Sequence, residues 1–357
     1  MCNSSGYICT VLPPDILAKL AESDRHRERA LRTIALTEHA RGRRSILGAM
    51  TLGVPAGALR RTIYDAKTTE NLPGTLVRGE GDAATADVAV TEAYDYSGNT
   101  HDFYKQIFGR NSVDDNGMRL DSTVHYAQQY DNAFWDGRQM IYGDGDGELF
   151  NRFTLDLDVI GHELTHGVTQ NTAALQYSGQ SGALNESMSD VFGIMVKQWV
   201  LGQSVDQADW LIGKGLFTTA VKGVALRSMK DPGSAYDDTQ IGKDPQPKTM
   251  ANFVNTTRDN GGVHVNSGIP NYAFYLAATS IGGNAWDKTG KIWYETLTKR
   301  LTATSDFQAA ADATVSAAGD LFGQNSNEQK AVIDAWTQVG LKPASGPSLI
   351  KTLGARG

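Results

Sequence analysis

The segment DLDVIGHELTHGVTQ holds the residues of this chain best placed to do chemistry, His162, Glu163 and His166. On a helix four residues advance about 400° and ~6 Å, so the two imidazoles leave one face a turn apart and can grip one metal ion. Glu163 sits about 100° round the helix, out of line with the ion but within reach of a water bound to it, where a general base belongs. The pattern is short, and chance supplies it in on the order of one in a hundred chains of this length. Its flanks add weight, because Leu157, Val159, Ile160, Leu164 and Val168 mark a buried helix in which unpaired histidines are costly. A catalytic zinc keeps three protein ligands and one open position, so a third ligand is due. Twenty residues on, GALNESMSDVFG begins a second helical run with apolar Met188, Val191, Phe192 and Met195. Glu186 at its head can be held rigidly beside the first helix. Asp190, one turn later on the same face, can accept the outer ring N–H of a ligand histidine. Taken alone Glu186 is an ordinary helix-start acid; beside the histidine motif it is the third ligand.

The elements that must position these groups follow from the patterning. A chain of 357 residues with 40% hydrophobic content can bury a large core in one big domain or two lobes. Its apolar stretches fall short of the ~20 residues of a membrane span, and its start lacks the basic-then-apolar form of an ordinary secretory signal. The net charge of −7 divides into +3 over residues 1–58 (eight Lys and Arg, five Asp and Glu) and −10 over the rest. An acidic body argues against nucleic acid as a partner, and the Arg-rich stretch 25–44, interleaved with acids, reads as a solvated helix face or a detachable segment. Residues 15–40 suit one or two amphipathic helices, and 42–58 reads as a linker or cleavage region. From 60 to about 153 short runs such as TIYDA and QMIYGDG between Gly, Asn and Asp predict a β-rich lobe. Segments 156–170, 182–201, 265–282, 286–302, 305–322 and 326–339 predict helices, and a polar tail begins at Pro343. The fold class expected is α+β.

HELTH, then ALNESMSD, then DNGGVHVNSGIPN, with DNAFWDGRQMIYGDGDG at 131–147 and LRSMKDP at 226–232, resemble the thermolysin family in order and spacing over nearly all of residues 60–340. The resemblance implies a two-lobe metalloendopeptidase with the zinc helix at the junction and one catalytic Zn2+. It implies that His264 stabilises the tetrahedral oxyanion, that Asp259 orients it, and that Tyr177 donates to the same oxygen. Asn132 and Ala133 match groups that pair with substrate backbone, and Arg227 one that binds a peptide carbonyl beyond the cleaved bond. Phe150, Val159 and Leu226 fall where the family lines its main specificity pocket, implying cleavage on the amino side of bulky apolar residues; ordinary core packing is the other reading of any one of them.

The chain also departs from that family. Asp158 and Asp209 are kept from its double calcium site, but Lys197, Leu211 and Lys214 replace glutamates. The double Ca2+ site is therefore expected to be lost, with Lys197 pairing Asp158 or Asp209, while Ca2+ elsewhere is left open. The GDGDG run at 143–147 reads as a turn. The short front, with PPDIL at 13–17, resembles the short propeptides of the protealysin subgroup. The expected division is 1–56 propeptide, 57–177 β-rich lobe with the zinc helix, 178–342 helical lobe and 343–357 tail. The propeptide is expected to inhibit the enzyme and to be removed by self-cleavage within 45–58. Cys2 and Cys9 are read as exposed or simply packed, in preference to a thiolate reaching the zinc. Protein and peptide substrates, a monomer without membrane or nucleic-acid partners, and secretion complete the expectation, with a cytoplasmic location as the alternative. A zinc-binding protein without turnover is the rival reading.

Overall fold

The computed structural model describes residues 9–47 and 59–344. Its front segment contributes a strand β1 (Cys9–Thr10) and helices α1 (Pro14–Ala21) and α2 (Arg27–Leu47). The sheet lobe follows with β2 (Arg61–Asp65), β3 (Thr75–Arg78), helix α3 (Val88–Phe108), β4 (Leu120–Val124), β5 (Ala133–Trp135) and β6 (Gln139–Tyr142). These strands form one six-stranded sheet in the order β1-β5-β6-β4-β2-β3. Thus β1, from the front of the chain, completes the sheet by pairing antiparallel with β5, Cys9 opposite Trp135 and Thr10 opposite Phe134.

Helix α3 corrects the reading of residues 60–153 as short strands and turns. Its sequence VAVTEAYDYSGNTHDFYKQIF is rich in β-branched and aromatic residues and carries Gly98, all of which argue locally against a helix. Packing overrides propensity. Val90, Ala93, Tyr94, Ser97, Thr100, Phe103 and Tyr104 bury one face at helical spacing. Asp87 accepts from the N–H groups of Ala89 and Val90, and Gly109 at φ 72° closes the far end. A Cβ at Gly98 would come within 2.3 Å of the Arg61 guanidinium and push that side chain aside.

The helical part comprises α4 (Leu157–Gln170), α5 (Gly179–Leu201), α6 (Asp259–Asn266), α7 (Gly268–Ile281), α8 (Thr289–Lys299), α9 (Phe307–Phe322) and α10 (Asn327–Gln338). These elements follow the expected segments closely, apart from the separation of α6 from α7. Helix α4 packs between β5 on one side and α5 on the other. Where α4 and α5 cross, a Cβ on Gly193 would lie 2.5 Å from the Asp158 carbonyl oxygen, and one on Gly161 would lie 3.1 Å from the Gly193 Cα. The two helices touch backbone to backbone.

Lys197 on α5 behaves as anticipated from the substitutions: its Nζ lies 2.8 Å from Asp158 Oδ2 and 3.3 Å from Asp209 Oδ1, and donates to the Leu211 carbonyl at 2.8 Å. The GDGDG run is a turn whose acids are used locally. Asp146 Oδ1 accepts from the backbone of Glu148, Leu149 and Phe150, and Asp144 takes His125 Nδ1 at 2.8 Å while Asp87 takes Nε2 at 2.8 Å.

Two outcomes follow. Asp158 is fully buried, so Lys197→Met leaves an interior carboxylate without its cation and lowers stability by about 3–5 kcal/mol; an unfolding free energy from denaturant titration within ~1 kcal/mol of wild type contradicts this. The hydrogen bond to Asp144, helped by Asp87 and opposed by burial, holds the His125 pKa up to about 9 from 6.5. A raised folded-state pKa stabilises fully below 6.5 and loses that contribution as pH rises through about 9. Stability of the wild type should therefore fall over this window more steeply than that of His125→Gln, and parallel pH profiles would refute the assignment.

Candidate active site

Helix α4 presents His162 and His166 on one face, with Nε2 atoms 3.1 Å apart. From α5, Glu186 brings Oε2 to 3.5 Å of His162 Nε2 and Oε1 to 3.4 Å of His166 Nε2. An ion bound tetrahedrally at about 2.0–2.1 Å separates its ligand atoms by roughly 3.3–3.4 Å. The three side chains therefore fit one zinc. Burial works against a charged His162, but the carboxylates of Asp190 and Glu186 outweigh it and hold its pKa up to about 9. Burial raises Glu186 in turn, but His264 and His166 lead the groups that hold it well below the usual carboxylate range. The pocket thus calls for positive charge, yet two N–H groups cannot face each other at 3.1 Å. A divalent cation satisfies both ring nitrogens at once, and also Glu186 Oε2, which is buried and makes no hydrogen bond.

A second layer of polar groups holds the two histidine rings. Asp190 Oδ1 lies 2.8 Å from His162 Nδ1, and the same carboxylate accepts Arg227 Nε at 2.8 Å, Arg227 Nη2 at 2.7 Å and Asn271 Nδ2 at 2.8 Å. His166 Nδ1 is 2.8 Å from Asn185 Oδ1 and 3.0 Å from Ser189 Oγ. Sequence reasoning missed Asn185 and Ser189, which lie one turn apart on α5 and so share a face with each other.

Glu163 is fully buried, and one oxygen accepts from the Trp135 backbone N–H at 3.1 Å while Oε1 makes no hydrogen bond. Burial pushes its pKa up to about 8, with His162 pulling down and Glu186 adding to the rise. That value suits a group that must both take and return a proton near neutrality. His264 Nδ1 is 2.6 Å from Asp259 Oδ1, and its backbone N–H donates to Asp259 Oδ2 at 2.8 Å. Asp259, Asn260, Gly261 and Gly262 all have φ between 49° and 88°. This left-handed run folds the Asp259 carboxylate back beneath the ring. Burial opposes charge on His264, and Asp259 with Glu186 overrides it to hold the pKa at about 9. The Tyr177 hydroxyl reaches His264 Nε2 at 3.2 Å and also contacts Glu186 Oε1.

The cleft beside these groups is filled by the front of the chain itself. His264 Nε2 donates to the Thr10 carbonyl at 2.8 Å, the Val11 N–H to the Ala133 carbonyl at 3.3 Å, Arg227 Nη1 to the Val11 carbonyl at 3.0 Å, and the Leu12 N–H to Asn132 Oδ1 at 3.0 Å. The residues assigned by resemblance to substrate backbone thus hold the backbone of residues 11 and 12. Phe150, Val159 and Leu226 are buried in the same apolar core as Val11 and Leu12. Cys9 is packed, one of the two states expected of it, against Tyr177 and Val263. It is buried, and its thiol lies with ligand atoms of His166 and Glu186 in a group within 4.8 Å of one another. The reason is the pairing of β1 with β5, which carries residue 9 to the metal pocket. Cys2 lies outside the described residues.

Comparison with known proteins agrees with this geometry. Residues 50–170 match the profile of the thermolysin metallopeptidase catalytic domain, and residues 173–341 that of its alpha-helical domain. An "Extracellular metalloprotease" of Pectobacterium carotovorum subsp. carotovorum is 51% identical over 341 residues, covering 95% of this chain and 98% of that protein. "Protease PrtS" of Photorhabdus sp. (strain Az29) is 55% identical over 292 residues, covering 81% of this chain and 78% of its own. Among solved structures, the precursor of protealysin, a metalloproteinase from Serratia proteamaculans, superposes with a TM-score of 0.85 at 51% identity, covering 93% of this chain and 99% of that one. With both domain profiles matched and relatives of this identity spanning almost its whole length, the chain belongs to the thermolysin family of zinc metallopeptidases.

Proposed function

We propose that His162, His166 and Glu186 hold the family's single catalytic zinc and that the chain is the precursor of an endopeptidase cutting on the amino side of bulky apolar residues. The observation that carries this reading is the segment Thr10–Leu12, whose backbone is held by His264, Ala133, Arg227 and Asn132, the groups matched by resemblance to substrate binding and oxyanion stabilisation. Val11, between the Ala133 and Arg227 contacts, is an apolar residue in the position that follows the cleaved bond.

Bound zinc supplies Lewis-acid polarisation of the scissile carbonyl and lowers the pKa of a water. Glu163 takes the proton of the attacking water and passes it to the leaving amine. His264 and Tyr177 donate to the substrate oxygen as charge develops on it, and Asp259 fixes the His264 ring for that task. Asp190 positions two groups at once, the ring of His162 and the guanidinium of Arg227. Asn132, Ala133 and Arg227 set the register of the substrate backbone.

Residues 1 to about 56 serve in this reading as an inhibitory propeptide, followed by lobes 57–177 and 178–342 and a tail 343–357. Support comes from the front strand in the cleft and from apolar Ile16, Leu17 and Leu20 of α1 packed into the main core. The self-cleavage window 45–58 lies outside the described residues from residue 48 onward, as does the tail from residue 345. The mature enzyme is proposed to be secreted, as the name of the Pectobacterium relative says of that protein, and to act as a monomer without membrane or nucleic-acid partners. No helix among the described residues is long and apolar enough to cross a membrane. Calcium is not required where Lys197 neutralises Asp158 and Asp209.

Glu163→Gln should lower kcat on casein or peptide substrates by roughly 10²–10⁴-fold while zinc content stays at one per chain, and should leave the pure precursor uncut. Processing at the wild-type rate would refute self-cleavage, and undiminished hydrolysis would refute the base. His264→Ala should lower kcat/KM by roughly 10²–10³-fold; a change of less than about threefold would remove His264 from the oxyanion role.

A further inference from the structure

We infer that in the full-length chain the Cys9 thiolate is the fourth zinc ligand, so that the front segment closes the metal centre as well as filling the cleft. The inference rests on the assignment of His162, His166 and Glu186 to zinc.

The first support is position. The Cys9 thiol, a His166 ring nitrogen and a Glu186 oxygen are all buried and lie mutually within 4.8 Å. His162 Nε2 lies beside them, 3.1 Å from His166 Nε2. Zinc takes cysteine sulfur together with histidine nitrogen and carboxylate oxygen in four-coordinate sites, and three protein ligands leave one position for the sulfur. The second support is an orphaned atom. Glu186 Oε2 is buried, makes no hydrogen bond and has the His162 and His264 ring nitrogens at 3.5 and 3.6 Å, so the pocket into which Cys9 projects is built around a missing positive charge.

The third support is what the strand would otherwise undergo. Thr10 gives its carbonyl to His264, and Val11 and Leu12 are gripped by Ala133, Arg227 and Asn132. A peptide held this way presents the Thr10–Val11 bond to the hydrolytic groups. A sulfur in the open position takes the place of the attacking water, and Glu163 then has no proton to move, so a substrate-like segment can rest uncut in a competent site. Register secures the arrangement, because contacts from residues 10 to 12 and the pairing of Cys9 opposite Trp135 fix residue 9 along β5. On ligation the thiol loses its proton to solvent and a zinc–sulfur bond forms; when the strand leaves, that bond breaks, water takes the position and the thiolate is reprotonated. No electron is transferred. The rival account is that Cys9 is a small apolar filler packed with Tyr177 and Val263.

The test uses the full-length chain with Glu163→Gln, to keep it uncut, loaded with one zinc or one cobalt per chain. Zinc-edge X-ray absorption should show one sulfur at about 2.3 Å beside nitrogen and oxygen at about 2.0–2.1 Å, and the cobalt form should show a thiolate-to-metal charge-transfer band in the near ultraviolet. Cys9→Ser should abolish both signals, and Cys2→Ser should keep both. A zinc edge without sulfur overturns the inference, and it needs no variant at residue 9, so a misfolded Cys9→Ser does not blunt the test. A sulfur signal that survives in Cys9→Ser overturns it as well. Histidine scattering without sulfur refutes Cys9 alone, whereas failure to hold stoichiometric zinc refutes the metal site on which it rests.

Discussion

The backbone contact between Gly161 and Gly193 governs the rest of the site. Helix α4 carries both histidines and helix α5 carries Glu186, and their ligand atoms must meet within the few tenths of an ångström that one small cation tolerates. A methyl group at residue 193 would meet the Asp158 carbonyl at 2.5 Å and force the helices apart. That movement would carry Glu186 away from both rings together. The same crossing sets Asn185 and Ser189 against His166, and Asp190 against His162. Two glycines with no chemistry of their own therefore decide whether His162, His166 and Glu186 meet with the partners that surround them.

Charge balance is the second constraint, and the chain meets it with its own cations. Asp190 is shared by His162 and by Arg227, which in turn donates to the Val11 carbonyl and so ties the histidine pair to the front segment. Lys197 occupies the acidic niche of Asp158 and Asp209, with Lys214 3.2 Å from Asp209. Arg29 of the front segment spans two buried carboxylates, lying 3.1 Å from Asp131 and in contact with Asp146. Burial and Asp146 push the Asp131 pKa up to about 7 while Arg29 pulls it down. The front segment is thus bound by charge as well as by its apolar face.

Much of this could be read from the sequence where a short pattern carries a full geometric demand. His-Glu-x-x-His needs only helical spacing, and Glu186 with Asp190 needs only a second helix laid beside the first. The helices after residue 156 were legible because their apolar residues repeat at helical spacing without interruption. Helix α3 was not, since its Val, Thr and Tyr residues favour strands locally and only burial against the sheet and α4 decides otherwise. Asn185 and Ser189 were hidden for a related reason: an amide and a hydroxyl become second-layer partners only through the crossing angle of two helices. Strand β1 is two residues long and pairs with β5 across more than a hundred residues. Neither its pairing nor the burial of Cys9 follows from any local pattern.

The edge position of β1 has a consequence for how the molecule responds to dilution. While the front segment is continuous with the enzyme, its return to the cleft is an intramolecular event whose effective concentration is fixed by the tether, commonly in the millimolar range, whatever the protein concentration. Once the connection between α2 and β2 is cut, the same contacts become those of a separate ligand. Occupancy of the cleft then depends on how much of that ligand is present. A cut front segment kept at high local concentration would stay in the cleft, while the same molecules dispersed into a larger volume would release it by mass action.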